Sequence, residues 1–346
     1  MMQAAVLLKP GKLEIRETPV PPCPQGGVIV KVKACGICGS DAKMIQSGHR
    51  ALVYPRILGH EIAGVVAESR IKNFREGDRV QVAPGLRCGK CFQCRKGMDN
   101  QCENRGILGF TFDGGFAQYV AVPLEGPIVG ALNILPENVG YADATLVEPI
   151  ACSINAQEKA ASAEGDTVLI IGAGPLGLIH CFVARLRGAE KVIIGEIRKD
   201  RRKTAGNSWA DMVLDPEKGD LLEMIMNETN GRGIDVIIIA CSQVGINDGF
   251  LKLLTPGGRL SLFSGIASRS CDCRLDSNLV HYNEIVITGA YGCTASQNAR
   301  AVQLISAGKF PMGELITHRC SLMNIEEGIE HTSSRKGLKS ILEVEK

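Results

Sequence analysis

The chain has 346 residues, more than one ordinary core supports, so two domains are expected. With 45% hydrophobic and 22% charged residues it is globular in composition, and a net charge of +2 argues against nucleic acid or a membrane surface as partner. No apolar run reaches the roughly 18 residues needed to cross a bilayer, and no secretory pattern precedes Cys23. The 14 cysteines therefore read as thiols of a reducing cytoplasm.

The first 150 residues read as short strands between glycine and proline turns: VIVKVKA from Val28, GVVAE from Gly64, DRVQVA from Asp78 and FAQYVAV from Phe116. Apolar residues that alternate or cluster in such short runs predict a β-rich, barrel-like domain. Two motifs inside it hold candidate ligands. CGICGSD sets Cys38 beside Ser40 and Asp41, and RILGHEIAG sets His60 beside Glu61. A lone Cys or His is ordinary filler. Together, Cys, His and Glu form a mixed set that leaves one zinc position open for water or substrate, where the metal acts as a Lewis acid.

CGKCFQCRKGMDNQC follows. Its thiolates, Cys88, Cys91, Cys94 and Cys102, can close a tetrahedron round a structural zinc with no open position. An iron–sulfur cluster or a redox staple are the alternatives. The bacterial ferredoxin run needs three residues before its last cysteine and proline after it, whereas seven residues precede Cys102 and Glu103 follows. Nine cysteines outside this run and Cys38 are assigned to packing.

From Thr167 the pattern changes to TVLIIG, a glycine turn, the helix-like LGLIHCFVARLRG, a second apolar strand KVIIGE, a basic helix from Arg198, then MVLD, a further helix, DVIIIAC and GRLSLFSG. Strands apolar on both faces, alternating with helices, specify α/β structure with a doubly wound parallel sheet. GAGPLG, comprising Gly172, Gly174, Pro175, Leu176 and Gly177, follows a strand and opens a helix, the context a dinucleotide fingerprint requires. Helix N-terminal amides there favour a pyrophosphate, and Glu196, ending the second strand, is placed for the adenosine ribose hydroxyls. Glu196 favours NAD. Arg198, Lys199, Arg201 and Arg202 just beyond leave NADP as the lesser option. A helix-like segment at Ala299 to Ala307 and a last strand, SILEVE, complete the chain.

In this order CGICGSD, GHE, the four-cysteine lobe, VEPIACS and GAGPLG resemble the zinc-containing medium-chain alcohol dehydrogenases, more narrowly the sorbitol (polyol) and threonine dehydrogenase branch. The resemblance implies a GroES-like catalytic domain over residues 1–150 and 293–346, with its structural zinc lobe at 86–104, interrupted by a Rossmann domain over 151–292. It implies two zinc ions per subunit. Cys38, His60 and Glu61 match the catalytic ligands, and Glu148 of VEP, where classical relatives place a further cysteine, is a second candidate carboxylate for the same zinc, exchanging with Glu61 during turnover. Ser40 matches the hydroxyl that starts the proton relay, Asp41 the acid that orients the histidine, Arg201 a residue near the adenosine ribose and Lys339 a basic residue near the pyrophosphate. AYGCT from Ala290 replaces the Arg-Tyr pair of sorbitol dehydrogenases, which argues against sorbitol itself.

The expectation is an NAD-linked, cytoplasmic, homo-oligomeric dehydrogenase, dimeric or tetrameric, that acts on a secondary alcohol of a polyol or sugar-derived substrate. Threonine or a polyol phosphate is the alternative substrate, and a non-catalytic dinucleotide-binding protein the alternative class.

Overall fold

The computed structural model describes residues 1–123, 131–206, 209–265, 275–310 and 312–344. Cys271 and Cys273, two of the cysteines assigned to packing, and Glu345, in the expected last strand, lie outside the described residues. The chain divides into two compact units, one of Met1–Ala151 with Cys293–Lys346 and one of Cys152–Gly292. The first boundary falls inside the helix Val147–Lys159.

The first unit is β-rich because its apolar residues alternate along short strands. Gly27–Ile37 is the hub of a seven-stranded sheet. It pairs antiparallel with Glu61–Ser69, Tyr119–Pro123 and Lys339–Glu343, so the last described strand of the chain lies beside one of the first. Side chains at alternate positions, Val28, Val30 and Val32, meet Val66, Val80, Val120 and Val122 in one core, each fully buried or nearly so. A three-stranded sheet of Lys12–Thr18, Met2–Lys9 and Arg56–Ile57 adds to the same core.

The second unit holds six parallel strands among the described residues, in the spatial order Met212–Leu214, Lys191–Gly195, Thr167–Ile171, Ile234–Ile239, Leu254–Leu262, Val286–Gly289. Numbered within the unit this is 3-2-1-4-5-6, the doubly wound order; all six strands run parallel, and the order of strand addition reverses beside the first strand, where dinucleotides bind in such sheets. Val168, Leu169 and Ile170 are fully buried, as are Ile237, Ile238 and Ile239, which explains why the strands read as continuous apolar runs rather than alternating ones.

The helix Pro175–Leu186 carries His180, fully buried, with its ring edge-on to Phe263 at 4.4 Å and its backbone carbonyl accepting from Gln157 Nε2 at 2.7 Å. Burial pushes its pKa down to about 3. Between that value and 6.5 such an imidazole is neutral in the fold and charged in the unfolded chain. It therefore contributes stability above the ordinary pKa of 6.5 and loses it as pH falls towards the folded value. Urea unfolding between pH 7 and pH 5 should show His180→Leu with a shallower acid slope than the parent, by about 1.4 kcal/mol per pH unit below the ordinary pKa. Equal slopes would show that the imidazole is not held neutral.

Candidate functional site

Cys38 sits where the central strand of the first unit ends and the helix Gly39–Ser47 begins; its backbone is extended, at φ −89° and ψ 153°. Asp41, three residues on and fully buried, turns one carboxylate oxygen back to the Cys38 N–H at 2.9 Å. Its other oxygen is 3.2 Å from Nδ1 of the buried His60. One carboxylate thus fixes the backbone of one candidate ligand and the ring of the other. With Nδ1 occupied by Asp41, Nε2 is the ring nitrogen left for a metal. Burial lowers the pKa of His60, but the charge and hydrogen bond of Asp41, with a contribution from Cys38, outweigh it and hold the ring well above its usual value. Phe110 packs its ring against His60, 5.5 Å between centroids. Ser40 is half-buried in the first helical turn, next to Cys38.

Glu61 opens the strand Glu61–Ser69 and is 1% exposed. Its Oε1 accepts from Lys339 Nζ at 2.5 Å, while its Oε2 is buried with no hydrogen-bond partner among the described residues. Burial raises the Glu61 carboxyl above its usual range, and the Lys339 ammonium opposes that shift. Burial works against the charge on Lys339, but Glu61 more than compensates and keeps the amine protonated. One ligand atom each of Cys38, His60 and Glu61 lies within 4.8 Å of the other two. A thiol, an imidazole and an orphaned carboxylate oxygen around so small a space suit zinc. Glu148 lies outside this set; its charge acts on both Glu61 and Lys339. Lys339 has its ammonium bonded to Glu61, because its strand is a neighbour of the central strand that ends just before Cys38.

Cys88, Cys91, Cys94 and Cys102 converge in the same way, with ligand atoms within 4.8 Å of one another. Cys102 Sγ is 3.6 Å from Cys88 Sγ and 3.9 Å from Cys91 Sγ. A disulfide would bring two sulfurs to about 2.05 Å. Sulfurs about 2.3 Å from a central zinc stand about 3.8 Å apart, the separation observed. Backbone N–H groups of Cys91, Cys94 and Cys88 point at the sulfurs of Cys88, Cys91 and Cys102 at 3.4, 3.5 and 3.4 Å. Donors of this kind, from Lys90 and Cys91, push the Cys88 thiol down to about 6, whereas burial pushes Cys94 up to about 12. The antiparallel pair Gly85–Leu86 and Gly106–Ile107 closes the base of the lobe. Asp99, within the lobe, pairs with Arg87 and accepts from the Ala295 N–H at 3.3 Å, anchoring the lobe to the start of the helix Ala295–Ser306.

In the second unit, Gly172 has φ +103° and Gly174 caps the helix that Pro175 opens. Leu176 is the next residue of that first turn. A Cβ on Gly177 would stand 1.9 Å from the Gly172 carbonyl oxygen, so strand and helix meet only through a glycine. Glu196, 7% exposed, accepts from the Ala173 N–H and the Arg198 N–H, both at 2.8 Å, and so ties the end of the second strand to the glycine turn. Arg201 reaches back over that turn, its Nη1 3.4 Å from where a Cβ on Gly174 would lie. Arg202 is taken up by Asp215 at 2.7 Å and by the Glu196 carbonyl at 2.9 Å, and Arg198 by Asp200 at 2.8 Å.

Residues 24–129 match the family model of the alcohol dehydrogenase GroES-like domain, and residues 175–307 that of zinc-binding dehydrogenases. The chain is 34% identical over 326 residues to L-threonine 3-dehydrogenase of Pyrococcus horikoshii, covering 92% of this chain and 91% of that one. It is 30% identical over 335 residues to sorbitol dehydrogenase of Bacillus subtilis, covering 95% and 93%. Two solved structures superpose with a TM-score of 0.90 over 99% of both chains: an alcohol dehydrogenase of Escherichia coli with NADH, 29% identical, and a zinc-binding dehydrogenase of Sinorhizobium meliloti with NADP, 27% identical. The chain belongs to the zinc-containing medium-chain alcohol dehydrogenases, with a GroES-like domain and a Rossmann domain. It is an enzyme, a zinc-dependent oxidoreductase that uses a nicotinamide cofactor.

The contact between Glu61 and Lys339 escaped sequence reasoning, because the two are 278 positions apart and only strand pairing joins them. Asp99 escaped it as well; its one signal was an acid inside an otherwise basic cysteine loop. Removing one member of a buried ion pair strands the other, so Lys339→Met should lower the unfolding free energy by about 3–5 kcal/mol in a urea titration. A loss under about 1 kcal/mol, the range of an exposed pair, would contradict the burial of this one.

Proposed function

We propose that the chain oxidises a secondary alcohol of a polyol or sugar-derived substrate with NAD, as a cytoplasmic homo-oligomer carrying two zinc ions per subunit. One zinc is assigned to Cys38, His60 and Glu61, with Glu148 as a nearby second carboxylate, and one to Cys88, Cys91, Cys94 and Cys102. The observation that carries the assignment is the Glu61 Oε2 atom, buried and unpartnered within a set that already holds a thiol and an oriented imidazole. When bound, zinc supplies Lewis acidity at the substrate oxygen and the nicotinamide supplies the hydride acceptor.

The residues of the chain do the rest. Asp41 keeps Nδ1 of His60 occupied and the ring aligned. The Ser40 hydroxyl takes the proton of the alcohol and passes it towards solvent. Gly172, Gly174 and Gly177 let backbone amides and the helix N-terminus approach the pyrophosphate, with Arg201 above the turn. Each Glu196 oxygen keeps a second lone pair for a ribose hydroxyl. NAD is favoured over NADP because Glu196 repels a 2′-phosphate, while Arg202 and Arg198 are already held by Asp215 and Asp200.

Relatives named as threonine dehydrogenases make an amino alcohol the second reading. Steady-state assays with a polyol, a polyol phosphate and L-threonine, each with NAD and NADP, separate the two. The highest kcat/KM is expected for the free polyol with NAD, and a preference for L-threonine would move the assignment. In the same assay Cys38→Ala and His60→Ala should reduce turnover to background while NADH binding, followed by its fluorescence, changes less than about threefold. Turnover retained in either variant would remove the proposed centre.

A further inference from the structure

Gly36, next to last in its strand, is paired on both sides within the sheet, where a residue without a side chain weakens the element and calls for a reason. Its backbone does not supply one, since its φ is not among the positive values that favour glycine. Its neighbours Cys35 and Ile37 carry buried side chains without difficulty. The reason lies across the sheet. Gly36 faces Glu61 on one neighbouring strand and Ile341 on the other. Lys339 stands two residues before Ile341 and so on the same face. Two strands that flank a third are separated by about 9.5 Å, twice the inter-strand spacing. Glu61 and Lys339 nevertheless meet at 2.5 Å, so their side chains pass over the strand between them. A Cβ on Gly36 would stand 1.8 Å from Glu61 Oε2 and 3.0 Å from its carboxyl carbon.

We propose that Gly36 is a positioning residue, the bare stretch of backbone over which the Glu61 carboxylate lies as it crosses to Lys339, leaving Oε2 for the metal at Cys38 and His60. This rests on the reading of that trio as a zinc site. Alanine at position 36 then displaces the carboxylate rather than the backbone, because the far end of a side chain moves more readily than a ladder-bonded strand. The consequence falls on the ligand set and depends on the presence of Glu61.

The test is a cobalt titration of the full chain, read from the visible absorption bands, with Cys38→Ser identifying the bands of the mixed site and the four-cysteine lobe serving as the internal reference. Gly36→Ala should weaken cobalt binding at the mixed site by at least about tenfold, the range for losing a residue that orients a ligand. Binding at the four cysteines should be unchanged. In a Glu61→Ala background the same change at Gly36 should have an effect of less than about twofold. An undiminished affinity in Gly36→Ala, or an equal loss with and without the Glu61 carboxylate, overturns the proposal. If Gly36→Ala does not fold, recovery of the fold in the double variant supports it, and failure of both overturns it. Absence of the mixed-site bands in the parent chain defeats the underlying zinc assignment instead.

Discussion

A buried carboxylate needs a cation. Glu61 has Lys339 for one oxygen and no partner among the described residues for the other. The sheet of the first unit meets that requirement for one oxygen. Glu61 opens one strand, Gly36 occupies the middle one and Lys339 begins the next, so the pair forms only if residues near both ends of the chain enter the same sheet. The central strand then ends at Cys38, and Asp41 in the following helix fixes both Cys38 and His60. The adjoining ends of two neighbouring strands thereby assemble a thiol, an imidazole and a carboxylate. None of them needs a flexible loop to reach its place, which is the condition for a preorganised metal site.

Carboxylates also organise the second unit, through backbone amides rather than a buried cation. Glu196 joins the glycine turn to the end of the neighbouring strand by accepting from Ala173 and Arg198. In the function proposed above the side chain that shapes the turn also reads the ribose, so that reading couples shape and selectivity in one residue. Arg202, one of four basic residues that leave NADP as the lesser option, bridges Asp215 and the Glu196 carbonyl.

Local patterns were legible without a structure. Continuous apolar runs marked the parallel strands, the spacing of glycines marked a tight strand-to-helix turn, and the spacing of four cysteines marked a lobe in which their sulfurs converge. Cys38, His60 and Glu61 were legible as ligand types, and the structure brings their atoms together. What stayed hidden depends on register. The space above Gly36 exists only because Glu61 and Ile341 flank it, and the bond from Lys339 to Glu61 joins segments separated by most of the chain. The resemblance placed Lys339 near the pyrophosphate, and its bond to Glu61 follows from a strand pairing that no local pattern shows. The attachment of Asp99 to the Ala295 amide is of the same kind, a long-range contact with no local periodicity.

The central claim is that a mixed-ligand zinc at Cys38, His60 and Glu61 exists apart from the four-cysteine zinc. Anomalous diffraction from crystals of the purified protein at the zinc absorption edge tests it most directly. Two peaks per chain are expected, one inside the cysteine tetrahedron and one at about 2.0–2.3 Å from Cys38 Sγ, a His60 ring nitrogen and a Glu61 oxygen. A single peak at the four cysteines, with the Cys38 set empty in fully active protein, would contradict it.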